Sequence, residues 1–429
     1  MSTRFEPCGP LRGSLRPPAD KSISHRAALI AAMGEGTTTV EGYLDAADTR
    51  STLAAVQALG ARVEGADGLV SPLRIEGVGL RGAASAEIDV GNAGTLLRLL
   101  PGWLAGQEGG KWTLDGDDSI RRRPVDRIAT PLRQMGARLA AREDRLPPLQ
   151  ITGAALHGIT YELPVASAQV KSCALFAGLL ADSETAVVES HPSRDHTERM
   201  LAAAGAELHS VDGTVTIQPA QQLEPGEIVV PADISSAAFF LLAATLVAGS
   251  EVVLEQVGVN PTRTGILTIL ARMGAEIEVE PRGETGGEPV ADLRVRPATL
   301  RGTEVGGAEV PLAIDELPLV ALAACFAEGT TTIRDAAELR RKESDRVETV
   351  AAALSALGGE VEPTADGMVV TGTGGLRGGT ISSHGDHRIA MLGAVAGLAS
   401  ARGVEVEGME AAAVSYPGFE SDLASLQVL

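Results

Sequence analysis

The sequence predicts an α/β protein built from two similar halves, each a set of three repeated units. Three observations carry this. A short pattern of an apolar residue, Gly, a small residue and then an alternating polar/apolar run occurs at 58–64, 134–140, 203–209, 272–278 and 356–362. A polar segment followed by an Ala/Leu-rich helix occurs six times, starting at Asp20, Gly91, Ala166, Asp233, Ile314 and Gly385. The halves also begin alike, with PPADKSIS at 17–24 and VPADISSA at 230–237.

In the first pattern an amphipathic helix precedes each Gly. The Gly is expected to close that helix in the left-handed conformation, and the alternating run that follows is expected to form a half-buried strand. The spacing of roughly 70–80 residues suits a repeated βαβ-containing unit. The last unit is shortened at the C-terminus, and the N-terminal segment is expected to complete it. The halves divide near Asp20 and Pro231. This makes residues 21–231 a domain inserted into a discontinuous one of residues 1–20 plus 232–429.

A chain of 429 residues is long enough to bury two or three cores. With 44% hydrophobic and 21% charged residues it reads as an ordinary soluble protein. Aromatics are only 3%, so the cores should be Leu, Val, Ile and Ala layers, with no aromatic platform for single-stranded nucleic acid. A net charge of −20 disfavours nucleic acid and anionic membranes as partners. It leaves room for a small anionic substrate if the bases gather in one cleft. Cys8, Cys173 and Cys325 stand far apart, outside any CxxC pair, as expected of a reduced cytosolic protein without structural zinc. The first residues, MSTRFEPCGP, lack the apolar core of a signal peptide, and the apolar stretch Ala237–Ala248 is too short to span a bilayer.

The polar residues that open the six helices differ from unit to unit, while the helices resemble one another. Helix starts offer free N–H groups and a positive dipole end, which suit anions. The first start supplies Lys21, Ser22, Ser24, His25 and Arg26, with Asp20 or Ser22 as the cap. The second gives the turn GNAGT (91–95), followed later by RRRP (121–124), in which Pro124 holds Arg123 extended. The third gives Ser167 and Gln169, then SRDHTER with Arg194. The fifth gives Asp315 and RRKESDR (340–346), where Lys342 and Arg346 would share a helix face with Glu343 beside them. The sixth gives Asp386, His387 and Arg388. Singly, each fragment reads at least as well as a cap, a turn or a solvated ion pair, and RRRP, the third unit and RRKESDR read better so. Together they combine several cations, isolated carboxylates and hydroxyl donors without a metal motif or P-loop. That set fits two anionic substrates and proton transfer near neutral pH.

At these residues the chain resembles the 5-enolpyruvylshikimate-3-phosphate synthase (EPSP synthase) family. The matching segments are DKSISHR, GNAGT, RRRP, ASAQVKS, SRDHTE, DISSAAF, IDELP, LRRKESDRV, DHRIAM and SYPGF, in family order from residue 20 to 419. The resemblance implies two domains of three βαβαββ units each, as inside-out α/β barrels joined by two hinge strands. It implies transfer of the carboxyvinyl group of phosphoenolpyruvate to the 5-hydroxyl of shikimate 3-phosphate, on the shikimate pathway to chorismate and the aromatic amino acids. No metal or organic cofactor is implied, and the chain is expected to be a cytoplasmic monomer that binds neither nucleic acid nor membrane. By motif, Lys21, Ser22, Arg26, Ser167, Gln169, Arg194, Asp315 and Lys342 would hold shikimate 3-phosphate. Lys21, Gly94, Arg123, Gln169, Arg346 and Arg388 would hold phosphoenolpyruvate. Asp315 would act as base and Glu343 as acid, assisted by Lys21.

Two departures stand out. Val414 lies where many members have Lys, and Ser-Ala-Gln at 167–169 replaces Ser-Ser-Gln. The second, with Arg194, is similar to the bacterial subgroup called class II. Some glyphosate-insensitive members of that subgroup have Ala at the position of Gly94, so glyphosate is expected to compete here. The nearest alternative is the transferase that acts on UDP-N-acetylglucosamine. Its usual loop Cys should fall near residues 111–123, where this chain has none. The RNA 3′-phosphate cyclase group is disfavoured by the acidity, and a non-catalytic binding protein by the intact candidate set.

Overall fold

In the computed structural model, which describes residues 2–66 and 72–428, the recurring glycines are left-handed helix ends. Gly60, Gly136, Gly205, Gly274 and Gly358 have φ of 104°, 100°, 90°, 101° and 97°. Only Gly takes this conformation at little cost. Strands Arg62–Glu64, Arg138–Arg142, Leu208–Val211, Glu276–Thr285 and Glu360–Pro363 follow them. The preceding helices bury one face. In Gly265–Arg272, for instance, Gly265, Ile266, Ile269 and Leu270 are buried, the spacing of a single helical stripe.

One repeat unit shows the plan of the rest. It runs strand Ala86–Asp89, helix Gly94–Ala105, strand Lys111–Asp115, helix Asp126–Gln134, then strands Arg138–Arg142 and Leu146–Thr152. The sheet order is first, second, fourth, third, with the first pair parallel and the others antiparallel. This is a βαβαββ unit, and three other four-stranded sheets repeat its order; in a fourth, Glu227–Val229, the last of its strands in the chain, takes the leading place beside Thr37–Glu41. The sixth sheet has three strands. Gly379–Ser382 pairs in parallel with Val404–Glu407, and the N-terminal strand Ser2–Phe5 pairs antiparallel with the latter. The N-terminal segment therefore completes the shortened unit.

The chain forms two compact parts. An outer part contains Met1–Pro18, Pro231–Glu284 and Pro289–Leu429, and an inserted part contains Ala19–Val230 with the short turn Thr285–Glu288. That last membership has no local signal in the sequence. Nor did it show how the leading strands are shared. Arg12–Leu15 precedes the helix Lys21–Met33 but pairs with Glu251–Gly258 in the outer part. Glu227–Val229 precedes the helix Ile234–Leu246 but pairs with Thr37–Glu41 in the inserted part. The strand before each crossing is thus held by ladder hydrogen bonds in the part that the chain is about to leave.

Each part has its own apolar core around its apolar helices. Ile234–Leu246 is buried along almost its whole length, as expected of a helix apolar on every side. Tyr416 and Phe419 of the SYPGF segment pack on Phe240 with ring centroids 5.9 and 5.6 Å apart, so that motif anchors the chain end to the core. In the inserted part, helices Gly94–Ala105 and Ala168–Gly178 meet backbone to backbone at Gly102. A Cβ there would lie 2.1 Å from the Cys173 carbonyl oxygen. Gly102→Ala should therefore destabilise the protein by about 1–3 kcal/mol in urea unfolding, although Ala is the better helix former.

Candidate active site

The residues singled out in the inserted part stand at helix starts and in the loops beside them. Asp20 is the cap of the first helix, its Oδ1 accepting from Ile23 N at 2.9 Å. Ser22 is therefore not needed as the cap. Its hydroxyl accepts from Arg194 Nη1 at 3.4 Å, and its carbonyl accepts from Arg26 Nη1 at 2.9 Å. Arg26 is buried, and donates to Thr197 Oγ1 at 2.7 Å and Ser172 Oγ at 3.0 Å. Lys21 Nζ lies 3.0 Å from Asp48 Oδ2.

Ser167 caps the helix Ala168–Gly178 through Val170 N at 3.4 Å. Next to it, Gln169 Oε1 accepts from Arg98 Nη1 at 3.0 Å and its Nε2 donates to Thr95 Oγ1 at 3.3 Å. Of the three arginines in RRRP, Arg121 and Arg122 are exposed and Arg123 is buried. Arg123 is extended at φ −84° and ψ 125°, as Pro124 requires. Its Nη1 reaches the turn at Gly94, where a Cβ would be 2.4 Å away. The structure therefore joins Ser22, Arg26 and Arg194 into one cluster and gathers Gly94, Arg98, Arg123 and Gln169 into another. The Ala168–Gly178 helix touches both, through Ser172 and Gln169.

The outer part holds a separate cluster. Asp315 Oδ1 lies 3.1 Å from Lys342 Nζ and 3.3 Å from Arg346 Nη1. Arg346 Nη2 donates to Glu343 Oε2 at 2.6 Å, and its Nε to Asp386 Oδ2 at 2.8 Å. Arg388 Nη1 is 3.7 Å from Glu316 Oε1. The arrangement corrects one expectation: Lys342 and Arg346 do not share a helix. A 3₁₀ turn ends at Arg341, and a new helix starts at Arg346, capped by Asp345 through the backbone N–H groups of Val347 and Glu348. The two cations converge on Asp315 from different elements. Val414 sits half-buried at the end of a short 3₁₀ helix.

Burial opposes the charge on Arg346, but Asp386, Glu343 and Asp315 outweigh it and hold the guanidinium above its ordinary range. Burial likewise opposes the charge on Asp386, and Arg346 overcomes it, so this carboxyl is held below its ordinary range. Sequence reasoning did not rank Asp386, Asp48, Ser172 or Thr197 among the site residues. A readable signal existed for Ser172, a hydroxyl next to Lys171 in a helix that is apolar from Cys173 onward. Among the described residues one group has metal-like spacing, Asp195, His196 and Glu288 within 4.8 Å of one another. His196 Nδ1 is hydrogen-bonded to Glu288 at 2.7 Å and Asp195 to Arg199 at 2.9 Å, which accounts for the group as a hydrogen-bonded network.

The family model for EPSP synthase (3-phosphoshikimate 1-carboxyvinyltransferase) covers residues 5–423. The chain belongs to the EPSP synthase family. It is 51% identical to the 3-phosphoshikimate 1-carboxyvinyltransferase of Synechococcus sp. strain RCC307 over 98% of both chains. It is 50% identical to that of Geobacter sulfurreducens over 100% of both. The structure of EPSP synthase from Acinetobacter baumannii superposes with a TM-score of 0.86 at 43% identity, covering 99% of this chain and 98% of that one. Among the described residues no helix is long and apolar enough to cross a membrane.

The Arg346 cluster makes a pH-dependent prediction. A carboxyl with a lowered native pKa stabilises the fold above its unfolded value, about 4, and loses that contribution as pH falls through the native value. Asp386→Asn should cost about 3 kcal/mol at pH 7. In thermal melts the gap between parent and variant should narrow steadily below about pH 4.

Proposed function

We propose that this chain transfers the carboxyvinyl group of phosphoenolpyruvate to the 5-hydroxyl of shikimate 3-phosphate and releases phosphate. The observation that carries the roles is the outer cluster, where Asp315 sits between Lys342 and Arg346 and Glu343 is bonded to that same arginine. Asp315 accepts the hydroxyl proton as the oxygen attacks the enol carbon. Glu343, assisted by Lys21, protonates the methylene carbon. The resulting tetrahedral ketal loses a methyl proton and expels phosphate. Arg123, Arg346 and Arg388, with Gly94 and Gln169, grip the carboxylate and phosphate of phosphoenolpyruvate. Ser22, Arg26, Ser167, Gln169, Arg194 and Lys342 grip shikimate 3-phosphate. Planar guanidinium groups suit both anions, and their fixed positions stabilise charge as it moves.

This reading places the protein in the cytosol as a monomer acting on small anions. The cysteines fit a reducing setting: burial pushes the Cys325 thiol up to about 12, keeping it an unreactive thiol. The reading is tested by phosphate release from phosphoenolpyruvate. Release is expected with shikimate 3-phosphate as acceptor and not with UDP-N-acetylglucosamine; the reverse result overturns it. Lys21→Ala and Glu343→Ala should each lower kcat by roughly 10²–10⁴ while leaving the circular dichroism spectrum unchanged.

Glyphosate should compete with phosphoenolpyruvate. Adding a Cβ at Gly94 would push the Arg123 guanidinium from its place. Gly94→Ala should therefore weaken glyphosate inhibition and also raise the KM for phosphoenolpyruvate. Absence of any competition at millimolar glyphosate in the parent would refute this part.

A further inference from the structure

Lys171 is a cation buried one turn into the Ala168–Gly178 helix, with a side chain only 2% exposed. A buried ammonium is costly unless its donors are matched. Its Nζ lies 2.6 Å from Glu189 Oε2, 2.7 Å from Glu198 Oε1 and 3.4 Å from the Ser193 carbonyl oxygen. Ser193 Oγ in turn donates to Glu189 Oε1. These partners are spread along residues 189–198, which comprise the connection after strand Thr185–Val188 and the first turn of helix His196–Ala203. Residues 189–195 of that segment form neither helix nor strand. Arg194 lies within it, directly after Ser193.

The next residue on the helix acts in parallel. Ser172 Oγ lies 2.6 Å from Thr197 Oγ1, and both hydroxyls accept from Arg26. Adjacent residues of one helix therefore hold adjacent residues of another, Lys171 on Glu198 and Ser172 on Thr197. The same helix carries Ser167 and Gln169 at its start. An apolar side chain at 171 would fill the core without charge. What the lysine adds is a grip on the irregular segment at Glu189 and Ser193 and on the first turn of the following helix at Glu198.

We propose that Lys171 is a positioning residue for the shikimate 3-phosphate subsite: it clamps residues 189–198 so that Arg194 stands at Ser22. This rests on the functional reading above, in which Arg194 binds that substrate. Lys171 itself is enclosed and acts only through Arg194.

The test is steady-state phosphate release by the full chain, with each substrate varied in turn, for the parent, Lys171→Met, Arg194→Ala and their double variant. Lys171→Met should raise the KM for shikimate 3-phosphate about tenfold or more. Its kcat should stay within about threefold and its KM for phosphoenolpyruvate within about twofold. In the Arg194→Ala background the Lys171→Met effect should vanish, because both changes remove one interaction. Ser193→Ala removes a single hydrogen bond to Glu189 and serves if Lys171→Met does not fold. It should raise the same KM about threefold and also lose its effect without Arg194. Equal effects with and without Arg194, or a joint loss of kcat and of both KM values, would overturn the clamp. A parent that releases no phosphate overturns the functional reading instead.

Discussion

The constraint on which the rest of the molecule depends is the burial of its central helices. Helices such as Ile234–Leu246 and His387–Ala399 are enclosed along nearly their whole length, so their flanks can carry little chemistry. Polar groups are driven to the helix starts, where free N–H groups and the dipole favour anions. Asp20, Ser167, Asp233 and Asp386 cap four of these starts. Once the caps are set, the next residues are placed almost automatically: Lys21 and Ser22 after Asp20, Gln169 after Ser167, Arg388 after Asp386.

The charge of the chain takes on a local meaning at these starts. Lys21 faces Asp48, Lys342 faces Asp315, and Arg346 faces Asp315, Glu343 and Asp386. These three bases of an acidic protein are each matched by carboxylates. Matching keeps the cations in defined positions at modest net charge, which a site of bare cations would not achieve.

Legibility in the sequence followed the range of the interaction. The left-handed glycines were readable because the demand for positive φ is local. Arg123 was readable as an extended residue because Pro124 imposes it. The break between Lys342 and Arg346 was misread. Their spacing suits one helix, but the Asp345 side chain starts a new one by capturing two N–H groups. Asp386 stood in plain view beside His387, yet its importance comes from Arg346, 40 residues earlier. The exchange of leading strands left no local trace, since strand pairing across hundreds of residues depends on the register of both partners.

The two N-terminal strands also set an order of assembly. Ser2–Phe5 finds its partner at Val404–Glu407, and Arg12–Leu15 finds its partner at Glu251–Gly258. During synthesis these strands emerge first, yet one of them is paired only when the chain is nearly complete. The inserted part, by contrast, has all its strands by Val229. Folding on the ribosome should therefore finish the inserted part first. The outer part must meanwhile keep two short, unpaired strands soluble. Their Arg4, Glu6, Arg12 and Arg16 are suited to that wait, because flanking charges discourage pairing with the wrong strand.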